Sequence, residues 1–549
     1  MVEGSRPERK PRIAFWLALP ARARAIFPPI NAQRLLPLPM RLNAKILPLV
    51  CAVLLGGGAW AQEPKSPATL PELQQRLADL VSQPKYSAAL WGVKIVSLDS
   101  GKTLFEHNPQ HLFSPASNSK LYTVALALDQ LGADYRIKTS LYAKTRPNKT
   151  GTLAGDLLIY GRGDPTINAR LHGGDIYRAL GPLVSALTNA GVKRITGDLV
   201  GDESYFRGPP FGSGWMWDDL EYYYGAEISA LTINDNTLQV LVKPGDRIGA
   251  PCKLTLSPAT TWITFTNRTE TAEKGARRRI QFYRPLEGNV IYVSGQMPVD
   301  DAGYTDDVTL HNPAGLLVTF LKEACTRAGI RVHGKMRALN WLDRQANPID
   351  CSKLVELGSM ESPPMSDLAR EVMKPSQNLY ADLLLAHVGE KSRSADSRPD
   401  ETSEDLGIRE LNKFLAEAGV KKGDVLFEEG SGLSRDNLTT PNATVALLQF
   451  MNRHKCASAY FDALPIAGVD GTLRNRMKDT LAAGNVRAKT GTLRWAISLS
   501  GCVTSAARER LVFSVMLNRF HSSDARASAR ADVDAIAVML AGFAGRSAD

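Results

Sequence analysis

Apolar positions along this chain follow two periods, and each change of period marks an element. Residues 121–131 (LYTVALALDQL) are mostly apolar and stop at Gly132, while Ser114 and Pro115 read as an N-cap and a first helical residue, so a helix is predicted. Just upstream, residues 88–98 (AALWGVKIVSL) are β-rich, Asp99-Ser100-Gly101 is a turn, and residues 102–105 return. This predicts a hairpin that delivers the chain to the helix, and a helix packed on an antiparallel sheet. Residues 70–81 predict a shorter helix before the hairpin.

From residue 137 the texture changes. Residues 137–143 and 153–160 alternate like strands around a turn at 147–151, and Gly161 to Thr166 close them. A helical piece at 176–190, an aromatic loop at 206–224, a strand at 231–242, and short strands with a helix at 313–329 follow. This block lacks a nucleophilic or metal-binding cluster of its own. It predicts inserted β-rich domains, one from residues 140–167 with 240–348 and a second, 168–239, nested within it. Helices are then predicted at 365–373, 379–388, 408–418 and 443–452, a strand pair at 493–503 and 510–518, and a last helix at 531–543. Residues 70–139 and 349–545 would together form a discontinuous domain of α/β (α+β) class, an antiparallel sheet flanked by helices.

A chain of 549 residues exceeds one core, and 44% hydrophobic with 22% charged residues is a globular composition. The net charge of +10 owes much to Arg6, Arg9, Lys10, Arg12, Arg22, Arg24, Arg34, Arg41 and Lys45, and no aromatic-interleaved basic cluster supports a nucleic-acid partner. Within that region a basic leader at 40–45, an apolar run at 46–58 and Ala59-Trp60-Ala61 before Gln62 read as a secretory signal peptide, residues 40–61. Residues 1–39 would then be an extension from a start site placed too early. The run of 13 residues is short for a membrane span, and Val50 before Cys51 argues against lipidation. Export would place the protein in the periplasm. Five cysteines follow the cleavage signal, Cys252, Cys325, Cys351, Cys456 and Cys502, with no C-x-x-C to suggest zinc or a redox dithiol. An oxidising compartment permits one or two disulfides among them and leaves an odd thiol.

The chemistry begins at Ser117 and Lys120, one turn apart on the predicted helix. A serine hydroxyl is a poor nucleophile until a neighbour takes its proton, and an amine held against apolar surface can have its pKa lowered enough to do so. The spacing alone is equally that of a capped helix with a snorkelling lysine, and Ser82-Gln83-Pro84-Lys85 repeats it. Two further patterns join it. Ser376-Gln377-Asn378 precedes a helix and offers a hydroxyl and an amide, fit to pass a proton and bind a peptide carbonyl. Lys489-Thr490-Gly491-Thr492 precedes the predicted strand at 493–503, with a cation for a substrate carboxylate and a glycine that admits a substrate backbone. A second K-T-G-T at Lys149 to Thr152 lies in a turn of the inserted block and is set aside. The ordered set S-x-x-K, S-x-N, K-T-G is that of serine β-lactamases and penicillin-binding proteins.

With these motifs the chain resembles the class C low-molecular-mass penicillin-binding proteins, D-alanyl-D-alanine carboxypeptidases/endopeptidases of the penicillin-binding protein 4 type. Gly163-Asp164-Pro165-Thr166, Leu231-Thr232-Ile233-Asn234-Asp235-Asn236, Gly430-Ser431-Gly432-Leu433-Ser434-Arg435 and Asp470-Gly471-Thr472-Leu473 support it, as does the long interval between Ser117 and Ser376. Glu429 departs from the aspartate usual before Gly-Ser-Gly-Leu-Ser-Arg. The resemblance, over residues 70–545, implies a serine β-lactamase/transpeptidase-like domain carrying the insertion. It implies attack by Ser117 on the carbonyl between two D-alanines, with Lys120 as base, Ser376 relaying a proton to the leaving amine and Asn378 positioning substrate and Lys120. The Ser117 and Thr492 backbone N–H groups would form the oxyanion hole, and Lys489, Thr490, Gly491 and Thr492 would bind the terminal carboxylate and its backbone. The implied partners are peptidoglycan stem peptides and, as covalent inhibitors, β-lactams; no metal or organic cofactor is expected. The rival readings are a β-lactamase or esterase on the same scaffold and a non-catalytic peptidoglycan-binding protein. Homodimerisation and peripheral membrane contact stay open.

Overall fold

Long buried apolar strands and a mostly apolar helix need partners on both faces, and the chain supplies them by folding helices onto each side of one sheet. The computed structural model describes residues 66–520 and 525–548. The expected signal peptide, the extension before it and Cys51 lie outside the described residues. The central sheet has five antiparallel strands in the order Arg487–Leu493, Ala496–Thr504, Arg510–Asn518, Leu90–Ser97, Thr103–His107. Strand Arg510–Asn518 is buried at every position after the first, which explains why its sequence reads as a continuous apolar run rather than an alternation. One face packs on helix Leu70–Val81 and the carboxy-terminal helix Ala525–Gly542, through Val93, Ile95, Phe513, Val515, Leu77 and Ile536. The other meets helices Ser119–Leu131, Met365–Met373, Asn378–Ser392, Ser403–Glu417 and Pro441–Asn452 around Leu126, Leu384, Phe414 and Leu448. Helix Ser119–Leu131 is buried from Ser119 through Leu128, its apolar side chains packed all round and its buried Lys120 and Thr123 hydrogen-bonded.

The middle of the chain has its own core, from Leu141 to Met360. Its largest sheet runs Met336–Leu339, Leu199–Asp202, Leu157–Tyr160, Lys138–Ala143, Val355–Glu361. Three three-stranded sheets, Tyr304–Thr309 with Thr237–Lys243 and Lys253–Ser257, Thr264–Ala272 with Val290–Pro298 and Arg279–Tyr283, and Arg331–Val332 with Arg194–Ile195 and Thr152–Leu153, complete the β-rich part among the described residues. The described residues form one compact unit.

Strand pairing divides the middle differently from the partition expected above. Strand Leu199–Asp202 is hydrogen-bonded between Leu157–Tyr160 and Met336–Leu339, so residues 168–239 share a sheet with their flanks instead of standing apart. Val355–Glu361, expected in the flanking domain, pairs with Lys138–Ala143. Pairing between distant strands leaves no mark on either strand's own pattern, which is why the boundary misplaces them. The helix expected at 176–190 breaks into Ile176–Ala179 and Gly181–Asn189, because Pro182 cannot donate to residue 178 and its ring crowds that carbonyl. The strand expected from residue 231 begins at Thr237, after Asn234, Asp235 and Asn236 turn the chain at positive φ. All five described cysteines are free thiols. Replacing Phe513, fully buried in the central strand, by alanine should cost about 3–5 kcal/mol and lower the melting temperature by circular dichroism. An unchanged transition would contradict its placement.

Candidate active site

The chain reaches Ser117 through a turn that the sheet holds rigid. Asn518 clamps the Ser114 backbone, its Oδ1 accepting from the Ser114 N–H at 2.8 Å and its Nδ2 donating to the Ser114 carbonyl at 3.2 Å. Ser498 donates to the Pro115 carbonyl at 2.6 Å, and Asn118 Nδ2 donates to Ser498 Oγ at 2.7 Å and the Lys489 carbonyl at 3.1 Å. These bonds hold Ala116 at φ 49°, a left-handed conformation costly for any residue with a Cβ. Ser117 therefore lies in a 3-10 turn, Ala116–Asn118, and the α-helix proper begins at Ser119. The expected cap at Ser114 is thus replaced by a clamp from the sheet.

Lys120 follows, wholly buried. Its Nζ donates to Ser117 Oγ at 3.0 Å, Asn378 Oδ1 at 2.6 Å and the Ser431 carbonyl at 2.6 Å. Burial pushes its pKa down to about 8, against the pull of Asp382 and Glu429 behind it. Ser376 sits at φ 67° in the turn between helices Met365–Met373 and Asn378–Ser392. Lys374 pins that turn by donating to the Leu464 carbonyl at 2.5 Å and Asp470 at 2.7 Å, and the Lys374 carbonyl accepts from the Thr472 N–H at 3.0 Å. Asn378 Nδ2 donates to the Tyr224 carbonyl at 2.9 Å, so the aromatic loop forms one wall.

Lys489 to Thr492 do not precede a strand; they lie on the edge strand Arg487–Leu493, with Trp495 in the hairpin turn that follows. The turn residues Arg494 and Trp495 carry no glycine or proline to announce it, so the expected strand at 493–503 starts at Ala496 instead. Lys489 is wholly buried and donates to Ser376 Oγ at 2.8 Å and the Thr490 carbonyl at 2.9 Å. Burial, then the charge of Lys120, holds its pKa well below the usual lysine range. Thr490 donates to Thr472 Oγ1 at 2.8 Å, and Thr492 is exposed. Gly491 is required by space: a Cβ there would stand 2.1 Å from Ser498 Oγ and 2.4 Å from the Pro115 carbonyl oxygen.

All eight residues singled out from the sequence, Ser117, Lys120, Ser376, Asn378, Lys489, Thr490, Gly491 and Thr492, thus fall at one locus around the junction of the Ser117 turn, the Ser376 turn and the edge strand. Lys149, in the rejected copy, is exposed in a turn of the middle block. The sequence reading missed Asn118, Ser498, Thr472, Tyr224 and Ser431. Two signals were available: serines interrupting an otherwise apolar strand at Ser498 and Ser500, and the glycine-punctuated strings holding Ser431 and Thr472. Among the described residues no group of three or more His, Cys, Asp or Glu is arranged for a metal ion.

The fold is that of the penicillin-recognising proteins, and residues 73–540 match the D-Ala-D-Ala carboxypeptidase 3 (S13) family. The chain belongs to that family and is a serine hydrolase of the D-Ala-D-Ala carboxypeptidase type. It is 33% identical over 513 residues to a D-alanyl-D-alanine carboxypeptidase from an Actinomadura species, covering 91% of this chain and 90% of the relative. With D-alanyl-D-alanine carboxypeptidase DacB of Haemophilus influenzae it shares 26% identity, over 78% of this chain and 85% of that one. The crystal structure of penicillin binding protein 4 (dacB) from Haemophilus influenzae superposes with a TM-score of 0.73 at 25% identity, covering 85% of this chain and 99% of that chain. The fold and family inferred from the three motifs hold. Gly491→Ala should cut acylation by a β-lactam at least about 100-fold while circular dichroism stays native. An unimpaired rate would contradict the close approach of edge strand and Ser117 turn.

Proposed function

We propose that Ser117 is the nucleophile of a DD-carboxypeptidase that trims peptidoglycan stem peptides and also opens D-Ala–diamino acid cross-links. The observation that carries this reading is the 3.0 Å bond from Lys120 Nζ to Ser117 Oγ, made by a lysine with no solvent exposure. In the neutral form Lys120 takes the Ser117 proton as Oγ bonds to the carbonyl carbon between the two D-alanines. The oxygen of that carbonyl becomes an oxyanion between the Ser117 and Thr492 backbone N–H groups. As the C–N bond breaks, Ser376 gives its proton to the leaving amine and takes one from Lys489, 2.8 Å away. Water then hydrolyses the ester, and the two lysines recover their starting protonation.

Lys489 suits the substrate carboxylate for an electrostatic reason. Two acceptors face its Nζ, where an ammonium can serve three. A carboxylate arriving beside it would favour the charged form that burial and Lys120 oppose. Asn378, donating to Tyr224 and accepting from Lys120, aligns the lysine with the substrate amide. Exposed Trp217, Tyr222 and Tyr223 beside that wall give the longer, cross-linked peptide an apolar surface, which favours the endopeptidase activity. β-Lactams would acylate Ser117 as mimics of the D-Ala-D-Ala end, and the signal at 40–61 would place the enzyme in the periplasm.

Incubation of the mature chain with benzylpenicillin, followed by intact mass, should give one covalent adduct that Ser117→Ala abolishes. Its rate should rise with pH through about 8, where the Lys120 ammonium gives way to the neutral base. No adduct on folded protein would refute the acyl-enzyme reading and favour a non-catalytic peptidoglycan-binding role.

A further inference from the structure

Two buried carboxyl groups stand behind Lys120, and their surroundings treat them oppositely. Glu429, with no solvent exposure, receives only donors. Its Oε1 accepts from the Gly432 N–H at 2.7 Å and Asn437 Nδ2 at 2.8 Å; its Oε2 accepts from the Ser431 N–H at 3.0 Å, the Ser431 hydroxyl and Trp215 Nε1 at 3.3 Å. Five donors thus converge on its two oxygens. Asp382, on helix Asn378–Ser392, accepts one bond, from the Gly430 N–H at 2.9 Å, and its Oδ2 is buried without a partner. Burial, and then the charge of Glu429, raise the Asp382 pKa well above the carboxylate range.

The Glu429 bonds also shape the chain. They fold residues 429–432 into a turn whose Ser431 carbonyl meets Lys120 Nζ at 2.6 Å. The same turn brings Gly432, at φ 82°, so close that a Cβ would lie 1.9 Å from the Ala116 carbonyl oxygen of the nucleophile turn. Asn437 extends the tie, donating to Ser119 Oγ at 3.2 Å as well as to Glu429.

We infer that Glu429 is the positioning residue of Lys120: its carboxylate builds the turn that presents the Ser431 carbonyl to the lysine and supplies the fully hydrogen-bonded negative charge the lysine faces from behind. It touches neither substrate nor Ser117 and acts only through Lys120. Trp215 joins this carboxylate to the aromatic loop that walls the site. The charged and titratable groups around the lysine are Lys489 on the edge strand, Asp382 on its helix and Glu429. Glu404, on helix Ser403–Glu417, stands further back and bonds Ser213. The inference rests on Lys120 acting as the base.

The test is the pH profile of benzylpenicillin acylation in the wild-type chain, Glu429→Gln, Glu429→Asp and Asp382→Asn. Loss of the Glu429 charge disfavours the ammonium. Glu429→Gln should therefore move the acid limb down by about one pH unit and lower the plateau rate at least about tenfold. Glu429→Asp and Asp382→Asn should keep the wild-type limb. A purely structural glutamate would change the rate or the melting temperature and leave the limb in place. A wild-type limb in folded Glu429→Gln, or a limb displaced downward in Asp382→Asn, overturns the inference. Should Glu429→Gln fail to fold, Asp382→Asn decides: an unmoved limb leaves Glu429 as the charge and supports the assignment, a displaced one refutes it. If the wild-type chain forms no acyl-enzyme at all, the proposed function fails first, which separates the two.

Discussion

A lysine ammonium removed from water needs an acceptor for each of its three protons, and Lys120 draws its three from three separate parts of the chain. Ser117 comes from its own turn, Asn378 from a helix far along the sequence, and the Ser431 carbonyl from a glycine-rich turn further still. Satisfying one buried cation therefore fixes the Ser117 turn, the S-x-N element and the 429–432 turn in register. The cost of the burial appears as a lowered pKa, about 8, and the proposed role of the lysine as a base rests on it. A second buried lysine, Lys489, joins the edge strand to Ser376 and makes a second positive charge in the same space unfavourable.

Helix Asn378–Ser392 carries this arrangement into the rest of the molecule. It is buried over most of its length because the catalytic core lies on one side and the middle block on the other. Tyr380 OH accepts from Asn168 at 2.7 Å and donates to Asp235 at 2.7 Å, and His387 Nδ1 meets the Arg162 carbonyl at 2.8 Å. Neutral His387, its pKa pushed down to about 4 by burial, can serve there without carrying a charge into the interface. The strings around Gly163 and Asn234, which have no catalytic groups, find their physical role in this seam: Thr232 donates to the Asp164 carbonyl at 2.8 Å, and Asn236 Nδ2 to the Glu227 carbonyl at 2.7 Å. The seam ends at Tyr224, whose carbonyl orients Asn378.

The parts of this architecture legible in the sequence are those written locally. Helix Leu70–Val81 and the hairpin from Leu90 to His107 follow from periodicity and turn residues, and the three motifs carry side chains whose chemistry is specific in order. What the sequence concealed depends on distant pairing. The Ser117 turn looks like a capped helix because Asn518 and Ser498, which hold it, lie hundreds of residues away. Lys489 to Thr492 look like a prelude to a strand because the Arg494-Trp495 turn lacks the usual punctuation. Val355–Glu361 gives no sign that its partner is Lys138–Ala143. Ser431 contributes a backbone carbonyl, which no side-chain pattern records.

The central claim is that Ser117, Lys120, Ser376, Asn378 and the Lys489 strand form one acylation site. A crystal structure of the benzylpenicillin adduct tests it most directly. The account predicts an ester at Ser117 Oγ, its carbonyl oxygen between the backbone N–H groups of Ser117 and Thr492, and the penicillin carboxylate within hydrogen-bond distance of Thr490, Thr492 or Lys489. An ester on another residue, or a carboxylate directed away from that strand, would contradict it.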